Sequence, residues 1–185
     1  DFSQINPADR DVAYSVWSSL LPSVDFELFL SENLTEQCRR WVNYVKDFDA
    51  SHPVVVDGTS GQLLKSSVKA RCNDEFRTAE TCDIFGGTYY PKSWGNNMTD
   101  RPWELSANYR IAASAAEKAG KSFIISELQT HTQSALTPGS EVSTGELSAW
   151  IWSGIAAGAE AFQLWRWRPF LHGYQSTRSE ERRVG

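Results

Sequence analysis

Four short apolar runs punctuate the chain, at residues 53–57 (PVVVD), 83–89 (DIFGGTY), 122–127 (SFIISE) and 161–167 (AFQLWRW). Each is rich in β-branched or aromatic residues, and none alternates cleanly between apolar and polar positions in its apolar part. That pattern predicts short strands buried on both faces. Between the runs the hydrophobic period lengthens to three or four. Over residues 25–48, apolar side chains fall at Leu30, Leu34, Cys38, Trp41, Val45 and Phe48, one stripe along a long helix. Residues 73–81 predict a short helix. Residues 102–118 place Leu105, Tyr109, Ala112 and Ala116 at helical spacing, with Pro102 suited to the first turn and Gly120 to the stop. Ser143 and Glu146 have capping-box spacing, and the helix they open carries Leu147, Trp150, Ile151, Gly154 and Ile155 before ending near Gly158.

Helix and strand therefore alternate four times. Such alternation implies βαβ units and a parallel sheet. The sheet is either open and doubly wound or closed into a barrel. No G-x-G-x-x-G turn follows any strand, which argues against a dinucleotide site. Polar and aromatic groups instead occupy the C-terminal ends of the strands: Asp57, then Tyr89 and Tyr90, then Glu127, then Arg166 to Arg168. Barrel enzymes keep their chemistry at that rim. A parallel strand entering solvent often ends in one polar residue, but four successive strands doing so favour a shared site.

Composition adds a little. Eight Trp and an aromatic share of 12% tilt the reading slightly toward glycan stacking, although Trp more often fills cores. The net charge of −5 and the lack of a basic stripe exclude nucleic acid as a partner. Cys38, Cys72 and Cys82 lack metal-ligand spacing, are odd in number and read as free thiols, so neither a metal nor a disulfide framework is expected. No apolar run is long enough to span a membrane. The chain opens at Asp1 rather than Met, so the lack of a leader carries no message. Residues 178–185 (RSEERRVG) resemble the translation of a sequencing-library adapter. They are expected to be non-native, leaving residues 1–177 as one domain.

Glu127 is the sharpest candidate for chemistry, since it ends an apolar strand and would project into a barrel mouth from a rigid base. A rim glutamate paired with an arginine is the structural alternative. Its surroundings favour function. The pieces Glu127-Leu128-Gln129, Ala156-Ala157-Gly158-Ala159 and Trp165-Arg166-Trp167-Arg168, together with DIFGGTYYP upstream, resemble glycoside hydrolase family 42, the β-galactosidase family, in order and spacing over nearly all of residues 1–177. The resemblance implies a partial (β/α)8 TIM barrel running from about the fourth helix through the eighth strand. It implies retaining hydrolysis with Glu127 as nucleophile, and it sets Trp165 against the sugar. Gln175 falls where relatives hold a sugar-binding Glu. An amide accepts a hydrogen bond less strongly than a carboxylate, which loosens the expected preference for galactose. Tyr89 and Arg168 are further candidates for substrate contact, Tyr89 by stacking and Arg168 by orienting Glu127 or a hydroxyl.

The family's acid/base, an Asn-Glu pair ending the fourth strand, has no counterpart here, since Glu32-Asn33 has the reverse order and sits in a helical pattern. The resemblance therefore implies a truncated domain, inactive by itself, whose missing strand lies upstream of Asp1. It implies a carbohydrate substrate, no cofactor and a homotrimeric parent; the sequence assigns no compartment. Two other readings of the residues stay open. One is a noncatalytic carbohydrate-binding half-barrel. The other is a barrel enzyme of another class, an aldolase or a metal-dependent hydrolase, though Lys92 and Lys121 miss the strand C-termini and the three His are scattered.

Overall fold

A computed structural model describes residues 21–58, 73–92, 102–130 and 141–166. Helix α1 (Leu21–Phe48) leads to strand β1 (Val55–Gly58), and the short helix α2 (Glu75–Ala79) to β2 (Ile84–Tyr89). Helix α3 (Pro102–Ala119), β3 (Ser122–Gln129), α4 (Thr144–Ala157) and β4 (Phe162–Trp165) follow. The four strands form one parallel sheet in the order β1-β2-β3-β4. A doubly wound sheet reverses its order at a switch point. No reversal occurs here, and α1 touches α2, α2 touches α3 and α3 touches α4. Helices that meet in succession lie on one side of a sheet. The unit is α/β with a singly wound parallel sheet, consistent with an arc of a TIM barrel.

The core lies between that sheet and the helices. From the strands come Phe85, Tyr89, Phe123, Ile125 and Leu128; from α3 come Leu105, Tyr109, Ala112, Ala113, Ala115 and Ala116. The alanines make a low helix surface on which the strand aromatics can rest closely. Ser143 and Glu146 close the capping box that starts α4, and Gly158 ends it in the left-handed conformation at φ 102°. Midway along α4, Gly154 meets the sheet: a Cβ there would stand 2.6 Å from Ile125 Cδ1 and 2.7 Å from the Phe162 ring.

Two expectations need correction. The stripe expected to bury α1 is turned mostly outward, with Trp41 67% and Phe48 78% exposed. Thr35 and Val42 are the buried positions instead. Apolar residues occupy more than one face of this helix, so spacing alone did not select the packed one. The strands β2 and β3 hold buried residues on both faces, as expected, but the outer strands do not. β1 and β4 are largely open, and Val55 is 42% exposed on the side away from the helices. Cys82 is buried and Cys38 half-buried, both as free thiols, and burial pushes both thiols up in pKa. No described helix is long and apolar enough to cross a membrane.

Candidate active site

The face of the sheet opposite the helices carries the polar groups. Phe123 and Ile125 enter the core on the helix side, as alternate residues of a strand should. Continued alternation would send Glu127 into that core and Leu128 out of it. The reverse is observed: Leu128 is fully buried in the core and Glu127 is half-buried. The cause is a β-bulge. Gly87 pairs with Ile125 but Thr88 pairs with Glu127, so Ser126 is an extra residue with no partner on β2. The register with β4 breaks over the same stretch, between Ile125 and Leu128. The bulge turns Ser126 and Glu127 successively toward the open face. Bulges recur beside active sites because they re-aim a side chain in this way.

Tyr90, immediately past β2, donates its phenolic hydrogen to Glu127 Oε2 at 2.6 Å. That bond fixes one carboxylate oxygen and leaves Oε1 as the freer one. The segment carrying Tyr90 is itself anchored. The Lys92 backbone N–H donates to Gln129 Oε1 at 2.9 Å, and Lys92 Nζ contacts both oxygens of Glu146 at 3.0 Å and donates to the Glu141 carbonyl. Deeper on the same face, Asp57 accepts from the Ser126 hydroxyl at 2.8 Å and from the Thr88 hydroxyl at 2.5 Å.

Trp165 ends β4 and pairs with Gln129, two residues beyond Glu127, while the Thr130 N–H donates to the Trp165 carbonyl at 3.1 Å. This brings the Trp165 backbone to the strand end that carries Glu127. The peptide bond between Trp165 and Arg166 is cis. Tyr89, expected to stack on substrate, is placed elsewhere. It is 1% exposed, and its ring meets Tyr109 of α3 edge-on at 4.4 Å. Strand alternation puts Tyr89 with Phe85 and Gly87 on the helix side, so Tyr90 is the tyrosine that reaches the carboxylate. The same alternation was readable in DIFGGTYY, given that Phe85 is core. Gln175 and Arg168 lie outside the described residues, as do Trp94, His131 and His172. Glu32 and Asn33 are in α1. Among the described residues, no three His, Cys, Asp or Glu side chains converge as a metal-ligand set.

A parallel sheet with consecutive strand order, helices on one side and a hydrogen-bonded carboxylate at its C-terminal rim is the arrangement expected of an arc of an α/β barrel, a class that keeps its chemistry at that rim. The profile of the family Glyco_hydro_42, described as Beta-galactosidase, matches residues 1–181. This chain belongs to that family of glycoside hydrolases. Among solved structures it is similar to the beta-galactosidase from the psychrophilic Marinomonas ef1, with a TM-score of 0.71 and 14% identity over 90% of this chain. It is also similar to the polyextremophilic beta-galactosidase from the Antarctic haloarchaeon Halorubrum lacusprofundi, with a TM-score of 0.63 and 19% identity over 80% of this chain. The match spans 26% of the first of those chains and 22% of the second. No curated protein matches significantly.

Proposed function

We propose that this chain is the nucleophile-bearing half of a retaining β-galactosidase-like barrel, from about the fourth helix through the eighth strand, with Glu127 as the nucleophile. The observation that carries the reading is the bulge in β3, which takes Glu127 out of the core and delivers it to the Tyr90 hydroxyl on the open face. The reversal spares the carboxylate the cost of burial, and the Tyr90 bond then holds it at the rim where a substrate enters. Glu127 Oε1 attacks the anomeric carbon of a β-galactoside or related glycoside while Tyr90 holds Oε2. The bond from that carbon to the aglycone oxygen breaks. The aglycone oxygen takes a proton from a second carboxyl, supplied by a strand of the barrel that precedes this chain. That group then removes a proton from water, whose oxygen displaces Glu127 and releases the sugar. Retaining chemistry places the two carboxyls roughly 5–5.5 Å apart. Trp165 lines the sugar subsite, and Arg168 and Gln175 supply further hydrogen bonds to the substrate.

The chain by itself lacks the proton donor and is inactive on this reading. In the full-length enzyme, which assembles as a homotrimer, Glu127→Gln keeps the shape of the side chain and removes the attacking charge. Turnover of an aryl β-galactoside falls by several orders of magnitude, while binding of a non-hydrolysable galactoside is retained. A Glu127→Gln enzyme with undiminished turnover contradicts the proposal and leaves the chain as a carbohydrate-binding half-barrel.

A further inference from the structure

Asp57 is a carboxylate on the same face as Glu127 that the double displacement does not use. It sits in β1, two strands away from Glu127, and is exposed there. Its two oxygens serve two strands: Oδ1 takes the Ser126 hydroxyl from β3 and Oδ2 takes the Thr88 hydroxyl from β2. Both donors flank the nucleophile. Ser126 is the extra residue of the bulge and precedes Glu127 in the chain; Thr88 is the register partner of Glu127. The space for the bulged serine is prepared on β2. A Cβ on Gly86 would stand 2.8 Å from Ser126 Oγ and 3.0 Å from Ser126 Cβ.

A bulge interrupts the ladder, so its geometry depends on what holds the unpaired residue. Were β3 to relax to regular alternation, Glu127 and Leu128 would exchange faces. We infer that Asp57 is a positioning residue for the nucleophile: by binding Ser126 and Thr88 together across three strands, it keeps open the bulge that aims Glu127 at substrate. The inference rests on the reading of Glu127 as nucleophile.

The test is a mutant cycle in the full-length enzyme with an activated aryl β-galactoside. Asp57→Ala and Asp57→Asn are made in the wild-type background and in Glu127→Gly with azide present. In the Glu127→Gly enzyme, azide nitrogen bonds to the anomeric carbon as the aryloxide leaves, so turnover proceeds without the carboxylate. In the wild-type background Asp57→Ala lowers kcat by about 10- to 100-fold, the size of loss expected from a misplaced reacting group. Binding of a competitive galactoside is little changed. Asp57→Asn, which keeps an acceptor oxygen and the shape, recovers a large part of the loss. In the azide-rescued background Asp57→Ala adds no further loss, because its target is gone. Equal losses in both backgrounds, or no loss in the wild type, overturn the inference. Undiminished turnover by Glu127→Gly without azide sinks the nucleophile itself, a separate result. Should Asp57→Ala not fold, Ser126→Ala removes one of the two donors and is read through the same cycle, with the same outcomes.

Discussion

Replacing Glu75 with Gln perturbs a carboxyl group that folding pushes away from its ordinary ionisation. Glu75 opens α2 and is 3% exposed, and its Oε2 has no hydrogen-bond partner. It presses against the end of β1, where a Cβ on Gly58 would lie 2.5 Å from Oε2. Burial raises its pKa from 4.5 to about 7; the Asn73 side chain opposes that rise by hydrogen bonding, and the charges of Asp57 and Asp74 add to it. The folded protein therefore keeps a proton that the unfolded chain has lost. Stability from this group is fully present below about pH 4.5, declines as pH rises toward 7 and levels off above it. Across that interval the change amounts to about 3 kcal/mol, at about 1.4 kcal/mol for each pH unit. Gln cannot ionise, so the difference between the two proteins isolates this one group. Urea midpoints measured from pH 5 to pH 8 are expected to diverge with rising pH, with Glu75→Gln the more stable by up to about 3 kcal/mol at the alkaline end. Parallel curves, offset equally at every pH, refute the reasoning.

Further predictions concern packing and the rim. Gly154→Ala puts a methyl group against Ile125 and Phe162 and lowers stability by about 1–3 kcal/mol in thermal or urea unfolding; an unchanged midpoint means α4 does not approach the sheet that closely. Lys92→Met takes the cation from the Glu146 carboxylate, whose side chain is 18% exposed and which keeps its bonds to Ser143, and costs about 1–3 kcal/mol. The double variant Lys92→Met with Glu146→Met costs less than the sum of the single changes, as double-mutant unfolding will show. Tyr90→Phe removes the hydrogen bond to Glu127 and lowers kcat/KM of the full-length enzyme by about 10- to 100-fold, with its melting temperature nearly unchanged.

Much of this architecture was legible because its signals are local. All four apolar runs begin and end within two residues of the strands they predicted, and the capping box of Ser143 and Glu146 marked the start of α4. Glu127 stood out as a candidate for the same reason, as a charge at the end of an apolar run, although β3 continues to Gln129. What the sequence hid depends on partners distant in the chain. Nothing in SFIISELQ announces that Ser126 is unpaired, since the bulge is a relation between β3 and its neighbours. The bonds that bring Asp57, Thr88 and Ser126 together span 31 and 69 residues of sequence. The Tyr89 and Tyr90 pair shows an intermediate case. Two adjacent tyrosines must face opposite ways, and only the burial of Phe85 decides which one joins the core. On α1 even that aid was missing, because apolar residues cover several faces and only packing into the core distinguishes Val42 from Trp41.

The central claim is that Glu127 forms a covalent bond to the sugar. Incubating the full-length enzyme with a 2-deoxy-2-fluoro-galactoside bearing an activated leaving group slows breakdown of the glycosyl-enzyme, and peptide mass spectrometry then locates the sugar. The account predicts one added fluorosugar, carried on Glu127 of the peptide from β3. A sugar on any other carboxylate, or inactivation with no adduct at all, contradicts it.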